Sequence, residues 1–98
     1  MKEEERRKLY SKVLEKWGVD NQLWMVCEEC GELLNAIAKI NRNRVSKDDV
    51  ITELADVTIM CEQIAQWLGY NDYKAELDAK LTRLQHRLLT HKSVKKDE

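Results

Sequence analysis

The stretch from Leu23 to Ile40, LWMVCEECGELLNAIAKI, decides the fold. Within it Val26, Cys30, Leu33 and Ile37 recur at intervals of three and four residues, the spacing that places side chains on one face of an α-helix. At about 100° of rotation per residue, Glu29 and Glu32 fall at one edge of that apolar stripe, whereas Glu28 points away from it. The run is too long for an ordinary strand and too charged to cross a membrane.

Reading toward the N-terminus, Asp20 is a plausible N-cap for this helix, which is expected over about Asn21 to Asn41. Trp17-Gly18-Val19 breaks it from an earlier charged helix over residues 3 to 16, whose stripe is Leu9, Val13, Leu14 and Trp17 and which is expected to pack as a lid or strut. Reading toward the C-terminus, Asn41-Arg42-Asn43-Arg44 is a loop, and Ser46 with Asp49 three residues later has the form of a capping box. The third helix so opened runs to near Leu68, where Gly69 is its natural stop. Asn71 or Asp72 caps a fourth helix, on which Leu77, Leu81, Leu84 and Leu88 share one face. No proline interrupts these segments and only three glycines are available for tight turns, so the expected fold is all-α, a four-helix bundle. Residues 1–91 are read as one domain and 92–98 as a flexible polar tail.

The charge balance excludes some partners. Seventeen basic and eighteen acidic residues leave a net charge of -1, which recommends neither a nucleic-acid polymer nor a membrane surface. The charged start of the chain does not read as a targeting segment, so a cytoplasmic location is expected. Cys27 and Cys30 form a C-x-x-C that sits inside a helical pattern with no second pair, so Cys27, Cys30 and Cys61 are expected to be unpaired thiols rather than a redox or zinc centre.

The third helix repeats the acidic feature of the second. Glu53-Leu54-Ala55-Asp56 supplies two carboxylates three residues apart, at the same edge of a stripe made by Val50, Leu54, Val57, Cys61 and Leu68. If the two stripes pack in an antiparallel hairpin, Glu29, Glu32, Glu53 and Asp56 converge beside the seam. At an effective dielectric of about 20, two unit charges about 4 Å apart repel by roughly 4 kcal/mol, so the cluster demands a cation or shifted protonation. An all-oxygen set favours a hard divalent ion, magnesium, manganese or calcium, over zinc or copper, and magnesium typically leaves positions open for water and phosphates. A di-iron bundle would need Glu-x-x-His, which neither helix carries. The plain alternative is that each glutamate is solvated and pairs with a lysine such as Lys39 or Lys47.

Geometry also nominates substrate contacts. Gln22 and Met25 lie seven residues before Glu29 and Glu32 and continue the same edge toward the helix start, where they can line a base pocket; Lys39 lies seven after Glu32. On the fourth helix, Lys80 and Arg87 flank the leucine stripe with Arg83 nearby.

The pattern Glu28-Glu29-Cys30-Gly31-Glu32, a gap of twenty residues, and Glu53-Leu54-Ala55-Asp56 resembles the E-E-x-x-E…E-x-x-D signature of the MazG-like all-α nucleoside triphosphate pyrophosphohydrolases, which include dimeric dUTPase-like and dCTPase-like enzymes. The resemblance extends from about Trp17 to Leu88. It implies a magnesium-dependent enzyme that cleaves a nucleoside or deoxynucleoside triphosphate to the monophosphate and pyrophosphate. On that resemblance Glu29, Glu32, Glu53 and Asp56 are the magnesium ligands and catalytic acids, Glu28 fills the first motif position, and Lys80, Arg83 and Arg87 hold phosphates. It also implies assembly as a homodimer or homotetramer, in keeping with the unmatched leucine face of the fourth helix. The rival expectation is a non-catalytic helical module that binds a nucleotide or a protein partner through its amphipathic faces.

Overall fold

The computed structural model describes residues 1–40, 42 and 46–90. Four α-helices account for nearly all of them, α1 (Glu3–Trp17), α2 (Val19–Ile40), α3 (Lys47–Leu68) and α4 (Tyr70–Thr90), and there is no strand among the described residues. Among the described residues no helix is long and apolar enough to cross a membrane. The chain divides after Leu68 into two units, the first holding α1, α2 and α3 and the second α4. The tail at 92–98, and all of the 41–44 loop except Arg42, lie outside the described residues.

Single glycines stand between α1 and α2 and between α3 and α4. Gly18 adopts φ 88° and ψ 145°, a region that is essentially closed to residues with a Cβ, and Gly69 has a φ of 138°. At Gly18 the backbone N–H donates to the Leu14 carbonyl at 2.9 Å while its own carbonyl accepts from Gln22 N–H at 3.2 Å, so one residue closes α1 and opens α2. In consequence α2 begins at Val19, two residues before the expected start, and Asp20 lies in its first turn, where its charge complements the helix dipole. The same device starts α4 at Tyr70, ahead of the expected caps Asn71 and Asp72. The start of α3 follows expectation: Ser46 Oγ accepts from Asp49 N–H at 3.2 Å, and Asp49 Oδ2 accepts from Ser46 N–H at 3.4 Å.

In the first unit α2 and α3 form an antiparallel hairpin, registered by a buried hydrogen bond of 2.7 Å from Gln22 Nε2, near the start of α2, to Gln63 Oε1, near the end of α3. α1 packs chiefly on α3 and less extensively on α2. Its buried residue is Tyr10, 3% exposed, whereas the expected stripe residues Leu9 and Trp17 are largely exposed. The tyrosine goes inward because its hydroxyl has a partner there: it donates to Glu62 Oε1 at 2.5 Å, beside Arg6 Nε, which donates to the same oxygen at 3.1 Å. One turn on, Arg7 Nε donates to Gln66 Oε1 at 2.9 Å, and Gln66 Nε2 donates to Ser11 Oγ at 3.1 Å.

The hairpin seam follows the expected stripes in part: Val50 is buried and Val26, Cys30, Leu33 and Val57 are half-buried. Ala36, Val50, Met60 and Ala65 are the buried apolar residues of α2 and α3, while Ile37, Leu54 and Leu68 are exposed. Apolar residues cover so much of the circumference of α2 that periodicity alone does not choose among faces, and the polar pair Gln22–Gln63 draws the contact toward the acidic edge. No described side chain is fully buried, and large apolar residues such as Leu34, 73% exposed, remain in contact with solvent.

In the second unit, α4 carries Leu77, Leu81, Leu84 and Leu88 on one exposed face. Tyr70 and Tyr73 meet near its start with ring centroids 5.6 Å apart.

Candidate metal centre

The register set by Gln22 and Gln63 predicts what stands opposite what. Moving seven residues along α2 and seven back along α3 brings Glu29 level with Asp56; three more bring Glu32 level with Glu53. Helical rise alone thus converts two sequence pairs into one cluster on the side of the hairpin that carries Gln22. The structure gathers Glu29, Glu53 and Asp56 so that one carboxylate oxygen from each lies within 4.8 Å of the others. Glu32 is exposed at the rim and outside that three-acid group, but its charge acts on both Glu29 and Glu53.

All three grouped acids are half-buried, and the Oε1 atoms of Glu29 and Glu53 are buried without a hydrogen-bond partner. Burial, followed by the charges of Glu32, Asp56 and Glu53, pushes the Glu29 carboxyl above the usual carboxylate range. Glu53 is raised in the same way, by burial first and then by Glu32 and Asp56. A buried, unpaired carboxylate oxygen is costly, and two facing one another are more so. These residues fit a hard divalent cation: the donors are all oxygen, and a cation supplies what the two orphaned oxygens lack.

The other nominated residues are scattered. Gln22 is buried in its bond to Gln63, and Met25 is partly exposed beside it. Both line an open groove of about 600 Å³ together with Trp17, Trp24, Met60 and Gln63. Asn21 and Glu28 complete its wall, so Glu28 belongs to the groove rather than to the three-acid group. Lys39 is exposed in the last turn of α2. Lys80, Arg83 and Arg87 are exposed on α4, where Lys80 pairs with Glu76 at 3.5 Å, a surface contact of small energetic weight. The cysteines are free thiols, and none joins a potential metal-binding group among the described residues. Burial and the neighbouring Cys30 and Glu62 push the Cys61 thiol up, away from thiolate reactivity.

Sequence reasoning missed Met60 and Gln63 in the groove wall. A signal for Gln63 existed: it lies seven residues after Asp56, as Gln22 lies seven before Glu29, the mirrored spacing an antiparallel hairpin requires.

No protein-family model, curated protein or solved structure matches the chain.

Proposed function

We propose that this chain is a magnesium-dependent nucleotide pyrophosphohydrolase with a MazG-like helical arrangement, converting a nucleoside or deoxynucleoside triphosphate and water to the monophosphate and pyrophosphate. The observation that carries the reading is the pair of buried, unpartnered oxygens of Glu29 and Glu53 within a three-carboxylate group. Glu29, Glu53 and Asp56 would hold the ion, with Glu32 at the solvent side as a further ligand or as the acid that takes a proton from water. A magnesium ion there, with manganese as a substitute, would neutralise phosphate charge and orient the attacking water. Lys39, in the last turn of α2, is the candidate for a further phosphate contact.

The same reading includes a homodimer or homotetramer. A first unit with no fully buried side chain, exposed Leu34, Leu54 and Leu68, and a second unit with an exposed leucine face both leave apolar surface for other copies to cover. Those exposed leucines also favour the rival reading, a non-catalytic helical interaction module. Incubation of pure protein with magnesium and a panel of nucleotides, with pyrophosphate release as the readout, tests the enzyme. Absence of release from every nucleotide, together with absence of magnesium or manganese binding by calorimetry, would select the module. Light scattering across a dilution series reads the assembly.

A further inference from the structure

The groove lined by Gln22 and Gln63 contains a hydrogen-bond relay with an unusual end. Gln22 Nε2 donates to Gln63 Oε1 at 2.7 Å, and Gln63 Nε2 has as its acceptor the Met60 sulfur at 3.7 Å. A thioether is a weak acceptor, so little fixes the direction of the chain. A primary amide has nearly the same shape at its oxygen and nitrogen ends. Turning both amides over keeps the Gln22–Gln63 bond, now donated by Gln63, and sacrifices only the contact to sulfur. In the first arrangement Gln22 leaves its carbonyl oxygen free; in the second it leaves its NH2 group. Both glutamines line the groove.

The rest of the groove fits a flat heterocycle. Trp17 and Trp24 are large, exposed aromatic surfaces on its wall, and Met25 and Met60 add polarisable sulfur. The glutamine pair lies two turns of helix, about 10 Å at 1.5 Å per residue, from the level of Glu29 and Asp56 and on the same side of the hairpin. A molecule with phosphates at the acids therefore places its base at the glutamines.

Resting on the pyrophosphohydrolase reading, we propose that Gln22 and Gln63 form a reversible amide reader that accepts either a keto or an amino group on the base, so that the site takes nucleotides of both kinds. A directionally fixed amide would separate them, since leaving a buried donor or acceptor unpaired costs about 1–3 kcal/mol, roughly fivefold to 140-fold.

The test uses the full chain with magnesium and the non-hydrolysable α,β-imido forms of dUTP and dCTP, with binding followed by tryptophan fluorescence. Dissociation constants within about fivefold of one another are expected, and a larger ratio overturns the proposal. Gln63→Glu, which can only accept, fixes Gln22 with its oxygen toward the groove; it is expected to weaken the keto base relative to the amino base by about tenfold. An unchanged ratio in folded Gln63→Glu overturns the reader. Gln22→Met, of similar length and apolar, guards against a folding defect in that variant: it should weaken both nucleotides in parallel, and weakening of one alone counts against the proposal. Cleavage of true dUTP and dCTP is measured separately. Binding of both without cleavage removes the hydrolase reading and leaves the reader standing, whereas cleavage of one base alone removes the reader and leaves the hydrolase.

Discussion

Glu29 and Glu53 face one another across the α2–α3 seam, each with Oε1 buried and without a hydrogen-bond partner. Because burial and neighbouring charges raise both carboxyls, the folded, metal-free chain binds protons that the unfolded chain releases. The stabilising contribution of these protonated groups is complete below the ordinary carboxylate range and is lost as pH rises through the raised values. The Tm of metal-free protein is therefore expected to fall as pH rises from the ordinary carboxylate range through the raised values of Glu29 and Glu53. Magnesium should flatten the profile. Circular dichroism melts across that range, with and without the ion, check both; a metal-free Tm that climbs steadily with pH would contradict the cluster.

Glu53→Gln and Asp56→Asn separate metal binding from folding. Each removes a charge from a crowded group, so the metal-free Tm should rise or hold while helicity stays unchanged. For the unaltered chain, magnesium at about 100 times its dissociation constant should add about 2.7 kcal/mol of stability, and both variants should lose most of that increment. Pyrophosphate release is expected to drop by about a hundredfold or more, the scale on which loss of a preorganised electrostatic group acts. Calorimetric titration and the melt are the measurements; collapse of both variants in the absence of metal would mark the acids as structural.

The helices and the acids were legible in the sequence because each is a local matter. Gly18, Ser46 and Gly69 mark junctions through backbone freedom or capping, and three-residue spacing places Glu29 with Glu32 and Glu53 with Asp56 before any packing is known. What escaped is which face turns inward. Leu9 looks more apolar than Tyr10, but Tyr10 has Glu62 to bond, fifty-two residues away. Likewise the buried pair Gln22 and Gln63 escaped, since two amides satisfy each other only once the hairpin registers them.

Tyr10→Phe tests that long-range contact. The hydroxyl donates to a carboxylate that also accepts from Arg6, and a hydrogen bond to a charged group is worth about 1.5–3 kcal/mol, so the variant should lose about 2 kcal/mol. Burial and then Glu62 push the Tyr10 hydroxyl up to about 12. That bond therefore contributes fully below the ordinary tyrosine value and is lost as pH rises through about 12. Chemical denaturation of Tyr10→Phe, Glu62→Gln and the double variant should give a coupling energy above about 0.5 kcal/mol; additive losses would show that the residues act separately.

Two glycines that both stand in open space make the sharpest stability test. A Cβ added at Gly18 or at Gly31 would meet no atom within 4 Å, so neither substitution causes a steric collision with another part of the chain. The two differ in backbone. Gly18 sits at φ 88° and ψ 145°, which a residue with a Cβ enters at a cost of about 1–3 kcal/mol. Gly31 lies inside α2, where alanine is favoured over glycine by about 0.5–1 kcal/mol. Gly18→Ala should therefore lower the Tm and Gly31→Ala raise it, although both add one methyl group at a site with room for it. Denaturant melts of the two variants read the difference directly. If Gly31→Ala destabilises instead, the added methyl must be meeting a surface from outside this chain, and the exposed face of α2 becomes the place to seek a second copy.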